Sequence, residues 1–131
     1  MNPQAQNLYL RTQVNTATPG ELTLMLYNGA VKFMKQAGEE MRKKNIEGKH
    51  MNIMRAMDII DELRITLDYK YEISNNLSAL YVFIQEKLLE ANMKLDQEAL
   101  QVAIRLTTEL RDTWVELLKV VKTETSSPTA R

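Results

Sequence analysis

From Glu21 to Val121 apolar side chains recur at the period of an α-helix with little interruption, and that pattern restricts the chain to an all-α fold. The first segment carries Leu22, Leu24, Leu26, Tyr27, Ala30, Val31, Phe33, Met34, Ala37 and Met41, which spread over roughly 200° when projected at about 100° per residue. In the last segment Ala99, Leu100, Val102, Ile104, Leu106, Leu110, Trp114, Val115, Leu117, Leu118 and Val120 cover roughly 220°. A surface helix commonly buries a stripe of about 100°. Both segments therefore read as too apolar for a small bundle to hide, and apolar surface left over after folding signals a partner.

Local signals divide the pattern into four helices. Thr18-Pro19-Gly20-Glu21 opens the first, with Thr18 as N-cap, Pro19 at the first helical position and Glu21 completing a capping box. Lys43 and Lys44 suit its C-terminal dipole end, and Asn45 stops it or caps the next helix. The second runs to about Leu67, Asp68–Glu72 connect, and Ser74–Asn76 offer caps for the third, whose period resumes at Leu77 and ends near Ala91-Asn92. Asp96 caps the fourth, which reaches about Lys122 before a Ser/Thr/Pro-bearing tail, 123–131. Helices of this length with short connections predict one domain, an antiparallel up-down four-helix bundle over residues 19–122. Residues 1–17 hold an apolar cluster, Leu8, Tyr9, Leu10 and Val14, which reads either as a frayed end or as a capping segment packed across the surplus groove.

With 131 residues the chain is long enough to close one core without staples. Its 17 basic residues balance 17 acidic ones, which argues against a general nucleic-acid binder. There is no cysteine, consistent with a reducing compartment. No apolar run approaches the roughly 18 residues of a membrane span, and Met1–Gln6 lack a secretory pattern, so the expected location is the cytoplasm, without membrane insertion. Eight methionines are many for this length, and Met adapts to irregular or varied partners.

The inventory offers little to catalysis. His50 is the single histidine, and Glu47-Gly48-Lys49-His50 has the Glu-x-x-His spacing of di-iron bundles. Such sites need a second Glu-x-x-His and further inward glutamates, so no metal or cofactor is expected and His50 reads as solvated. Triads lack a second histidine, no glycine-rich phosphate loop is present, and Asp58, Asp61 and Glu62 read as a solvated face. Arg42, Lys43, Lys44 and Lys49 read as charges that offset a helix dipole and pair with Glu39 and Glu40.

What remains is the apolar surplus. In the second helix the main stripe is Ile46, Ile53, Ala56, Met57, Ile59, Ile60, Leu63 and Leu67, leaving Met51, Met54, Ile65 and Tyr69 on its other side; the third leaves Val82 and Leu89 opposite its stripe. Together with Leu24, Tyr27, Val31, Ile104 and Val115, the residues Met54, Ile65, Val82 and Leu89 are the candidate walls of a partner groove. Ordering a segment of about 40 residues costs on the order of 1–2 kcal/mol per residue, whereas a patch of about 400 Å² returns about 10 kcal/mol. A partner that folds on binding must therefore wrap several helices and bury on the order of 1,000–3,000 Å², by helix-in-groove docking.

The motifs have an order as well as a pattern. Tyr9, then Val14-x-Thr16-Ala17-Thr18-Pro19-x-x-Leu22-x-x-Met25-Leu26-Tyr27-x-Gly29-Ala30, resembles the opening of the FliS family of flagellin export chaperones. Ala56-x-x-Ile59-Ile60-x-x-Leu63-x-x-x-Leu67-Asp68, Asn76-Leu77-x-x-Leu80-Tyr81-x-Phe83-Ile84 with Ala91-Asn92, and Leu110-Arg111-x-x-Trp114 resemble its second, third and fourth helices. The resemblance implies a cytoplasmic, non-enzymatic chaperone that holds the C-terminal segment of flagellin, prevents its premature polymerisation and reaches the export-gate protein FlhA when loaded. It also implies that the N-terminal segment, with Leu8, Tyr9 and Val14, covers part of the client site when empty. The family often has a Gly-Gly pair before the third helix; here Tyr69-Lys70-Tyr71-Glu72 follow Asp68. The expected empty state is a monomer or weak dimer. The rival reading is a structural homo-oligomer whose broad faces bury one another.

Overall fold

The computed structural model describes residues 17–126. Four helices follow in order: α1 (Pro19–Arg42), α2 (Ile46–Ile65), α3 (Ile73–Lys94) and α4 (Gln97–Ser126). The cap segment expected around Leu8, Tyr9 and Val14 lies outside the described residues.

Side-chain oxygens start three of the helices, as the sequence signals. Thr18 Oγ1 accepts from Glu21 N at 3.1 Å while Glu21 Oε2 accepts from Thr18 N at 3.3 Å, the reciprocal capping box. Asn45 Oδ1 accepts from Gly48 N at 3.1 Å to open α2. Asp96 Oδ1 takes the amides of Glu98 and Ala99 at 3.0 and 3.1 Å to open α4. Among the described residues two non-glycine ones take a positive φ, and both sit just beyond a helix: Lys44 after α1 and Leu95 after α3.

The α2–α3 connection shows how the turn is made without a glycine pair. Asp68 Oδ1 accepts from Lys70 N at 3.0 Å, Asp68 O accepts from Tyr71 N at 3.1 Å, and the Ser74 hydroxyl closes onto the same carbonyl at 2.6 Å. The aspartate side chain imitates a backbone turn, so no residue needs a positive φ there. As a result α3 starts at Ile73, ahead of the resumption expected at Leu77. It runs on to Lys94, and α4 continues past the expected Lys122 to Ser126.

Cross-helix contacts set the directions. Trp114 Nε1 donates to Gly20 O at 2.9 Å, and Gly38 lies against Leu100, so the start of α1 meets the later part of α4 and the end of α1 meets its beginning. Lys49 Nζ donates to Asn92 O at 2.7 Å, while Gln85 Nε2 donates to Asp61 Oδ1 at 2.7 Å, which runs α2 against α3 in the same opposed sense. The helices form a ring in which α1 touches α2 and α4, and α3 touches α2 and α4. Met34, Ile53, Ile60, Ile84, Leu88 and Leu100 fill its centre, with Ala30, Ala37, Ala56, Ala91 and Ala103 letting the helices approach.

The apolar surplus is real but differently placed from the projection. No large apolar side chain of α1 is exposed. Exposed ones lie on α2 and α3 (Ile46, Met51, Met54, Ile65, Ile73, Val82, Phe83, Leu89, Met93), on the connections (Tyr69, Tyr71, Leu95) and on the last part of α4 (Leu117, Val120, Val121); Ile46, expected on the buried stripe of α2, is thus at the surface of its first turn.

Candidate functional site

Two seams on opposite sides of the ring, α2–α3 and α1–α4, hold most of the candidate residues. The first lies between α2 and α3. Polar pairs cross it: His50 Nδ1 meets Asn92 Nδ2 at 2.9 Å, Lys49 Nζ reaches the Asn92 carbonyl, and Gln85 bridges Asp61, the Met57 carbonyl and Arg64. These pairings fix the register and place Met54 level with Leu88 and Leu89, and Ile65 level with Val82. Met54 and Ile65 are eleven residues apart and share one side of α2; Val82 and Leu89, seven apart, share one side of α3. All four are exposed. Four of the nine expected groove residues thus flank one seam.

The second lies between α1 and α4. Leu24 and Val115 meet there with Leu118 and Val121 in a cleft rimmed by Thr18, Glu21, Lys119 and Lys122. Farther along the same seam Ile104 lines a hollow with Lys35, Gly38, Glu39, Arg42 and Gln101.

Two expected groove residues need correction. Tyr27 and Val31 are each only 3% exposed. Tyr27 points inward, where its hydroxyl lies 2.5 Å from that of Tyr81 and its ring packs at 6.4 Å, tilted, against Trp114. Burial raises the pKa of both phenols; the mutual hydrogen bond partly offsets this for Tyr27 and adds to it for Tyr81. Both stay neutral at physiological pH. This pair is a structural clamp between α1 and α3.

Lys49 also departs from its sequence reading. It is buried, not part of a solvated basic cluster, and its ammonium sits on the carbonyl end of α3, where a cation is favoured. The polar pairs across α2–α3 have no sequence signal, because cross-helix partners leave no trace in the spacing of one helix. Met93 was missed for a simpler reason: it lies four residues beyond Leu89 on the same side, so the period itself could have found it.

Glu47 and His50 acquire no third partner: among the described residues no group of three or more His, Cys, Asp or Glu could hold a metal ion. Nor is any described helix long and apolar enough to cross a membrane.

Fold and surface together define a class, an all-α bundle with apolar side chains along two opposite seams. Comparison with known proteins makes it specific. The family model described as flagellar protein FliS matches residues 1–121. A flagellar secretion chaperone FliS of Bacillus subtilis (strain 168) is 40% identical over 111 residues, covering 85% of this chain and 84% of that protein. FliS proteins of Escherichia coli (strain K12), 32% identical over 112 residues, and of Campylobacter jejuni, 31% over 118, cover 83% and 88% of this chain and 82% and 92% of their own lengths. The chain belongs to the FliS family of flagellar secretion chaperones.

Proposed function

We propose that this chain binds the C-terminal segment of flagellin in the cytoplasm, keeps it from polymerising and brings it to the export-gate protein FlhA. The observation that carries this reading is the apolar surface along two opposite seams of one small bundle: the Leu24–Val115 cleft on one side and the exposed Met54, Ile65, Val82 and Leu89 on the other. A rigid globular partner would cover one of them; a long unfolded segment that gains helix as it docks can follow both. The relatives named flagellar secretion chaperones support the reading, because a secreted subunit must stay unassembled until export.

Residues 1–17, with Leu8, Tyr9 and Val14, cover part of the client path in the empty chaperone. If the covered form holds about 90% of the population, apparent affinity falls about tenfold. The client displaces this segment, so control is modest and reversible.

Co-purification of the chain with a flagellin C-terminal fragment tests the proposal. A 1:1 complex by size-exclusion chromatography with light scattering is expected, with faster association when residues 1–17 are deleted. Absence of a complex, together with a stable dimer or tetramer of the chain alone, would replace this function with that of a structural homo-oligomer.

A further inference from the structure

Among the described residues Met25 and Met57 are partly buried, and the other methionines fall at the two extremes. Met34 is fully buried and Met41 is 9% exposed, whereas Met51, Met54 and Met93 are 48%, 42% and 74% exposed. The exposed three converge on one place. Met51 and Met54 occupy neighbouring turns at the start of α2, and the bonds from Lys49 and His50 to Asn92 hold that start beside the end of α3, where Met93 stands. They therefore stand at one end of the α2–α3 seam, near Leu89. A thioether suits a surface that must accept an irregular apolar partner. It is also the apolar group that peroxides convert most readily into a polar one when they can reach it.

We infer that Met51, Met54 and Met93 form a redox-responsive patch, in which oxidation to methionine sulfoxide by a peroxide lowers client affinity and reduction restores it. This rests on the reading of the seam as a client surface. In the step the thioether sulfur attacks one oxygen of hydrogen peroxide; an S–O bond forms, the O–O bond breaks, and the departing hydroxide takes the proton from the transferred oxygen and leaves as water. Sulfur loses two electrons and the peroxide gains them. The product carries a strong acceptor oxygen where an apolar client would dock, and burying it without a donor is unfavourable. The buried Met34 and Met41 are shielded, so the fold survives doses that modify the patch.

The test treats the full chain with dilute hydrogen peroxide, removes the oxidant, and follows peptide-mapping mass spectrometry, the unfolding midpoint and binding of a flagellin C-terminal fragment. Met51, Met54 and Met93 gain oxygen before Met34 and Met41, the midpoint holds, and affinity falls on the order of tenfold, since several sulfoxides meet apolar surface. Methionine sulfoxide reductases restore binding, and the triple variant Met51→Leu, Met54→Leu, Met93→Leu, whatever its own starting affinity, keeps that affinity through peroxide treatment. Two results overturn the inference: unchanged affinity after the three sites are oxidised, or a triple variant that remains peroxide-sensitive. Failure of the untreated chain to bind the fragment removes the client reading itself and the switch with it; the peptide map still shows whether the three sites oxidise first, so the two failures are told apart.

Discussion

Tyr27 and Tyr81 show how far a single side chain's role depends on what faces it. In the sequence Tyr27 sits at the edge of a broad apolar arc and reads as surface; in the fold its hydroxyl finds Tyr81, fifty-four positions away, and turns inward. No pattern within one helix encodes that partner. Removing one hydroxyl strands the other in the interior, so Tyr81→Phe is expected to destabilise by about 1–3 kcal/mol, while the double Tyr27→Phe, Tyr81→Phe change is nearly neutral. Urea unfolding of the two variants beside the parent checks the contrast. The pair also sets a pH signature. Both folded phenols titrate above the ordinary value of 10.0, so at higher pH the unfolded chain releases its protons first and stability falls. Stability from this source is intact below pH 10.0 and declines above it; the double Phe variant shows a shallower decline. Equal slopes would show that the pair is not the cause.

At the scale of the element, legibility was high where the determinants are local. The capping box at Thr18, the caps at Asn45 and Asp96 and the four helices follow from residues within a few positions of each other. The apolar arcs were less informative because α1 packs on two neighbours, α2 and α4, and does so closely at Gly29 beside Ile59 and Gly38 beside Leu100. Two seams at an angle bury an arc of roughly 200° that a single seam would leave half open. The α2–α3 seam is bridged by Lys49, Gln85, Arg64 and Asn92 instead, and apolar side chains remain on its flanks. The turn before α3 has its own local determinant in Asp68. Asp68→Ala is predicted to cost about 0.5–1.5 kcal/mol through loss of the bond to Lys70 N, whereas Asp68→Asn retains most of it. Thermal unfolding of the two variants distinguishes them, and equal midpoints would show that the side chain does not hold the turn.

On the scale of the whole molecule, the outcome is a bundle with a sealed centre and two greasy seams on opposite faces. Four candidate residues, Met54, Ile65, Val82 and Leu89, line one seam, and Leu24 with Val115 lines the other; Val31 lies buried along α1. The distinction is measurable. Val31→Asp forces a carboxylate into the interior and is expected to destabilise on the order of 3 kcal/mol or more. Leu89→Asp, on an exposed flank, should shift the unfolding midpoint little yet weaken flagellin binding roughly tenfold or more. Comparable loss of stability in both would mean that Leu89 belongs to the core.

The central claim is that one client segment lies along both seams, folding as it docks. Isothermal titration of the chain with a flagellin C-terminal fragment at several temperatures reads this directly, because apolar burial lowers heat capacity. An interface on the order of 1,000–3,000 Å² predicts a 1:1 stoichiometry and a ΔCp on the order of −0.2 to −0.5 kcal/mol/K. A ΔCp near zero, or no binding heat at any temperature, would contradict it.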